Sequence, residues 1–99
     1  MALTSYPNIT ITSSRTTLTM EYNNSIITST YSSSVFVVVT SALPAGFDCW
    51  VYQLGAGLVG AIADTGATIN WITGGPIDTT GQYGFMKITA VTDGNFIAA

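Results

Sequence analysis

Three patterns in this chain have residue types and spacings that could do chemistry. Asp64-Thr65-Gly66-Ala67 spells the aspartic-protease signature, and Leu58 to Ala63 supplies the apolar run that motif wants before its Asp. Such a reaction needs two carboxylates sharing a proton, in a chain this short one from each of two subunits. The motif stands late, leaving little room for a flap and a later apolar-Gly segment, and Gly74-Gly75 follows too closely to be that flap. Asp-Thr-Gly between strands is also ordinary turn chemistry, the Asp side chain accepting from backbone N–H groups. The turn is the reading adopted; a retroviral-type aspartic protease is kept as the outside alternative. Gly55-Ala56-Gly57-Leu58-Val59-Gly60 matches G-x-G-x-x-G, but a strand pattern follows it and no βαβ unit surrounds it, so a dinucleotide site lacks its context. Asp48, Asp64, Asp78 and Asp93 would bind a cation only if clustered, and their scatter through separate turns points to solvation.

Composition narrows the chemistry further. There is no His, which removes the commonest general base and metal ligand. Cys49, the single cysteine, sits in an apolar run and reads as a buried structural thiol. Arg15 and Lys87 are the only basic residues, too few for a nucleic-acid footprint. No catalytic residue, metal or cofactor is expected. No basic segment followed by an apolar one opens the chain, and no apolar run reaches the roughly 18–20 residues of a membrane span, so neither a signal peptide nor a membrane partner is expected. Asn8-Ile9-Thr10 and Asn23-Asn24-Ser25 match the glycosylation triplet without a secretory context.

The elements behind these patterns are strands. Hydrophobic residues make up 47% of the 99 and charged residues 7%, against about 25% charged in ordinary soluble domains. Val35 to Gln53 organises the chain: two β-branched and aromatic runs flank Pro44-Ala45-Gly46. Alternation sends Val35, Val37 and Val39 to one face with Phe36 and Val38 opposite; Phe47, Cys49 and Val51 oppose Trp50 and Tyr52. Both faces of each run are apolar, while a domain this small has one core, so one face is expected to lie between subunits, with Phe36, Val38, Trp50 and Tyr52 as candidates. Other strands are expected at Thr16 to Glu21, Ser25 to Tyr31, Leu58 to Ala63, Ala67 to Ile72, Gln82 to Val91 and Asn95 to Ala98. Turns fall at Tyr22-Asn23-Asn24, Leu54 to Gly57, Asp64 to Gly66 and Thr92 to Gly94, and Thr73 to Gly81 reads as a loop. No stretch has helical periodicity. The expected fold is all-β, an antiparallel β-sandwich or small barrel over residues 16–99. Residues 1–15 precede it as an extended arm or edge strand.

One resemblance is carried by Leu43-Pro44-Ala45-Gly46-Phe47, Trp50-Val51-Tyr52-Gln53-Leu54-Gly55-Ala56-Gly57, Gly66-Ala67-Thr68-Ile69 and Thr79-Thr80-Gly81-Gln82-Tyr83-Gly84. In that order they resemble a β-domain of tailed-bacteriophage structural proteins, over about Asn23 to Ala98. Asn95-Phe96-Ile97 departs from the family, which often has a Trp-containing last strand. Such domains form the trimeric tips of tail fibres and the decoration, or cement, proteins of phage heads, and they carry no catalytic residues. The resemblance therefore implies a homotrimer on the outer capsid surface of a virion, partnered by the major capsid protein, with a receptor-binding fibre tip as the alternative. In the first case Tyr6, Ile9, Ile11 and Arg15 would dock the arm by pairing its backbone with a neighbour's sheet edge.

Overall fold

Residues 7–71 and 74–99 are described in the computed structural model. Six strands form one sheet in the order β1 (Asn8–Thr10), β3 (Ser25–Ser29), β5 (Asp48–Gln53), β9 (Phe85–Thr92), β10 (Asn95–Ala98) and β7 (Thr68–Ile69). Four more, β2 (Arg15–Thr17), β4 (Val35–Val39), β6 (Val59–Ala63) and β8 (Gly74–Asp78), form a second sheet in that order. From β1 to β6 the chain alternates between the sheets and returns each time beside its own earlier strand, in parallel. Asn8 stands beside Ile26 and Ile26 beside Trp50; Arg15 stands beside Phe36 and Phe36 beside Gly60. The arrangement is β-solenoid-like, with β1–β2, β3–β4 and β5–β6 as successive coils.

This corrects the expected antiparallel sandwich or barrel. The chain is all-β and two-sheeted, but Pro44-Ala45-Gly46 and Leu54 to Gly57 carry the chain across to the opposite sheet and are not hairpins. Strands with two covered faces read as continuous apolar runs, and parallel strands are the kind usually covered on both. A parallel pair needs a long crossover, usually a helix. Here the intervening strand of the other sheet serves as that crossover. Direction changes only after the third coil. β8 pairs antiparallel with β6, β9 with β5, and β10 with β9. The Thr92 to Gly94 turn is the expected hairpin, with a register shift at Asn95/Phe96.

Local departures have local causes. Gly74–Asp78, expected as loop, is an edge strand; Pro76 is tolerated there because an edge needs no N–H on its free side. The strand expected at Thr16 to Glu21 ends at Thr17 and gives way to a 3-10 turn over Met20–Tyr22, closed by Tyr22 N–H to Thr19 O at 3.0 Å. The strand expected over Ala67 to Ile72 is only Thr68–Ile69, because Asn70 (φ 52°) and Trp71 (φ 66°) leave extended conformation; Ile72 lies outside the described residues.

The core lies between the sheets. Ile27, Cys49, Val51, Met86, Ile88 and Phe96 from the larger sheet meet Val35, Val37, Val39, Val59 and Ala61 from the smaller. Val38 is also buried although it lies outside this cluster, on the outward register between Thr17 and Ile62. Residues 7–15 are part of the fold: β1 is the edge of the larger sheet among the described residues, and Ile11 is in the core. Tyr6 lies outside the described residues.

Candidate interaction surfaces

The larger sheet presents an aromatic stripe to its outer side. Alternation turns Cys49, Val51 and Gln53 inward and leaves Trp50 and Tyr52 half-buried on the other face. The register with β9 sets Trp50 beside Lys87 and Tyr52 beside Phe85. Phe85 is 51% exposed; its ring stacks on Tyr52 at 5.3 Å between centroids and tilts against Trp50 at 5.5 Å. Contacts of this kind are each worth about 0.5–1.5 kcal/mol beyond area burial. Lys87 Nζ lies 5.2 Å from the Trp50 ring centroid and 3.8 Å from the Asp48 carboxylate. At this exposure the ion pair contributes little to stability, about 0–1 kcal/mol. The pairing runs on past the strands, with Gln53 N–H to Gly84 O at 2.9 Å and Tyr83 N–H to Gln53 O at 2.6 Å. Leu54 and Tyr83, which flank this pairing, are 40% and 73% exposed.

Phe36 and Val38 sit on the outer side of the smaller sheet, across the molecule from Trp50 and Tyr52. The four proposed interface residues thus belong to two separate surfaces. The Phe36 surface already covers itself: the Phe36 ring lies over Gly60 with Pro76 and Asp78 beside it. Of the proposed docking residues, Ile9 faces the core beside Ile27, Ile11 is buried and Arg15 is exposed on edge strand β2. Phe85, Lys87 and Tyr83 were not among the contact residues expected from the sequence. The alternation of Phe85, Lys87 and Thr89 opposite Met86 and Ile88 was the available signal.

The three chemical patterns have concrete placements. Asp64 lies on the exposed turn between β6 and β7; its Oδ1 accepts from Thr65 N–H at 2.8 Å, and Ala67 N–H donates to Asp64 O at 2.9 Å. Gly55 and Gly57 lie where the turn of the third coil packs on that of the second. A Cβ on Gly55 would meet the Tyr31 carbonyl, and one on Gly57 the Ser33 carbonyl. The G-x-G spacing thus serves close stacking of coil turns. Asp48 is with Lys87, and Asp93 accepts from Ala45 N–H at 3.0 Å. Among the described residues no group of three His, Cys, Asp or Glu side chains could hold a metal ion, and no helix is long and apolar enough to cross a membrane. Burial, then the neighbouring Asp48 charge, pushes the Cys49 thiol up to about 12, so it stays protonated at neutral pH.

Two segments far apart in sequence are tied together at one end of the sheets. Buried Gln53 accepts from Thr79 Oγ1 at 2.6 Å through Oε1 and donates to Gly55 O at 3.1 Å through Nε2. Thr79 Oγ1 in turn accepts from Val59 N–H at 3.0 Å, and Gln82 Nε2 donates to Leu54 O at 3.0 Å. Every polar atom of that buried cluster has a partner.

Compared with known protein families, with curated proteins and with solved structures, the chain matches none.

Proposed function

We propose that this protein is a non-catalytic structural module that decorates the outer surface of a phage head as a homotrimer bound to the major capsid protein. The observation that carries the reading is the exposed aromatic stripe of Trp50, Tyr52 and Phe85 on a body with few charges. Such a stripe is a contact surface: it buries large rigid rings at small cost in side-chain entropy. Two segments that carry the resemblance, Gln53 to Gly57 and Thr79 to Gly84, pack on one another through the Gln53–Thr79 cluster, which favours a shared purpose for them as framework. Because Ile11 serves the core and Ile9 stands beside Ile27 in β1, the docking role moves from these residues to the β-body, with the aromatic stripe as subunit contact.

The test is Phe85→Asp. The outward carboxylate leaves the fold intact by circular dichroism but would be buried unpaired at the contact. The trimer should dissociate, by sedimentation, and decoration of heads lacking the protein should be lost. A Phe85→Asp protein that still sediments as the wild type overturns the subunit contact. The receptor-binding fibre tip is the second reading, favoured by the 73%-exposed Tyr83 at a loop tip; labelling at the tail in intact particles would select it. A peptidase activity lost in Asp64→Asn with folding unchanged would select the protease.

A further inference from the structure

We infer that the first coil is a docking edge for a second copy of this chain, the copies pairing β1 with β1 and β2 with β2 across one two-fold axis normal to both sheets. The inference is independent of the trimer. It starts from the parity of the backbone bonds. Pro7 O accepts from Ile26 N–H and Ile11 N–H donates to Thr28 O, each at 2.8 Å, so odd-numbered residues of β1 spend their backbone groups on β3. The N–H and C=O of Asn8 and Thr10 therefore point to the free side. On β2, Ser14 O accepts from Phe36 N–H at 2.9 Å and Leu18 N–H donates to Val38 O at 2.8 Å, which turns those of Arg15 and Thr17 to the other side; there the exposed Ser13 hydroxyl donates to Arg15 O at 3.1 Å and accepts from Arg15 N–H at 3.4 Å, and an incoming strand would displace it. Among the described residues both sheets thus end, at the same end of the molecule, on an edge that can accept another strand.

The other two edges are built differently. β8 contains Pro76, and β7 has two residues before Asn70 and Trp71 turn to positive φ. Neither continues a ladder well, so head-to-tail growth on the far end is disfavoured and the first coil is left to pair with its own kind.

The edges are self-complementary. Ile9 and Thr16 are the central residues of β1 and β2 and stand beside core residues Ile27 and Val37. The proposed two-fold axis passes by both. In the antiparallel pair it generates, Asn8 comes abreast of Thr10 of the other copy and Arg15 abreast of Thr17, so each pair exchanges both backbone bonds. The two arginines are not opposed. Ile9 meets Ile9 of the other copy as a non-hydrogen-bonded pair, about 4.5 Å between Cα atoms, where side chains come closest. That contact would close the half-covered end of the core.

The test uses proline where it cannot harm the protomer. Thr10→Pro and Thr17→Pro remove N–H groups only on the free side, so the bonds of β1 to β3 and β2 to β4 survive. At high micromolar concentration the double variant should keep its circular dichroism and show half the wild-type mass, whatever number of chains the aromatic stripe holds together. An unchanged mass overturns the inference. Should the prolines unfold the chain, Ile9→Cys decides: under mild oxidation it should form a disulfide between copies, as Ile26→Cys on the outer face should not. Failure of Ile9→Cys to cross-link also overturns it. So would a chain lacking residues 1–6 that doubles its mass when the full chain does not, since the chain's own N-terminal residues would then be the occupant.

Discussion

The two ends of this solenoid are finished in different ways. At the C-terminal end, β8 and β9 lie antiparallel on the third coil and β10 lies antiparallel on β9, burying Met86, Ile88, Ala90, Phe96 and Ala98. At the N-terminal end, two strands of three residues each lie on the second coil, and Ile9 and Thr16 facing the core are only half-covered. A stack of parallel strands has no natural stop, because every coil offers the next the same edge. Reversal supplies a stop, since an antiparallel strand with Pro76 or a two-residue edge does not continue the ladder.

Replacement of Phe96 by Ala should give the largest effect if the closed end holds the stability. Phe96 is fully buried, and its truncation should cost about 3–5 kcal/mol in urea unfolding. A loss near 1 kcal/mol would mean that the reversed strands are an appendage.

The pH dependence tests the coil between the two ends. The Cys49 thiol is raised from 9.0 to about 12 in the folded protein, so its contribution is full below pH 9 and is lost as pH rises from 9 towards 12. The loss should be on the order of 2–4 kcal/mol, measured as the difference between wild type and Cys49→Val, which lacks the titrating group. Equal slopes in the two proteins would place the thiol in contact with solvent.

Thr79→Val sharpens the comparison at the point where the chain enters its reversed part. It leaves Gln53 Oε1 and Val59 N–H buried without their partner and should cost about 1–3 kcal/mol. The smallest effect should come from the open end. Ile9→Ala should cost about 1 kcal/mol or less, given its partial burial. In the dissociated protein the amides of β1 should exchange with solvent faster than those of β9 and β10. Slower exchange in β1 would invert the comparison.

Strand content was readable from alternation: Val35–Val39, Asp48–Gln53 and Asn95–Ala98 stand where the pattern put them. Strand direction was not, because a turn such as Pro44-Ala45-Gly46 has the same residues whether the chain folds back in its own sheet or crosses to the other. The one available sign was that Val35–Val39 is apolar on both faces. That reads equally as an interface or as a parallel strand, and Val38, buried on the outer side, shows it to be partly the latter. The aromatic stripe was half legible: Trp50 and Tyr52 came from alternation, whereas Phe85 joins them only through the β5–β9 register, which lies in no single segment.

The coil has a consequence for how such a chain can change its length. Matched residues of successive strands are separated by 18 and 24 positions along the larger sheet, as in Asn8, Ile26 and Trp50. A segment of about that length, duplicated in tandem between β4 and β5, would enter as one more coil. It would lengthen the body by about 4.8 Å, the spacing of neighbouring strands, and leave the reversed strands and the first coil as they are. Gene duplication, rather than the slow invention of new contacts, is then the cheapest route from this short rod to a longer one.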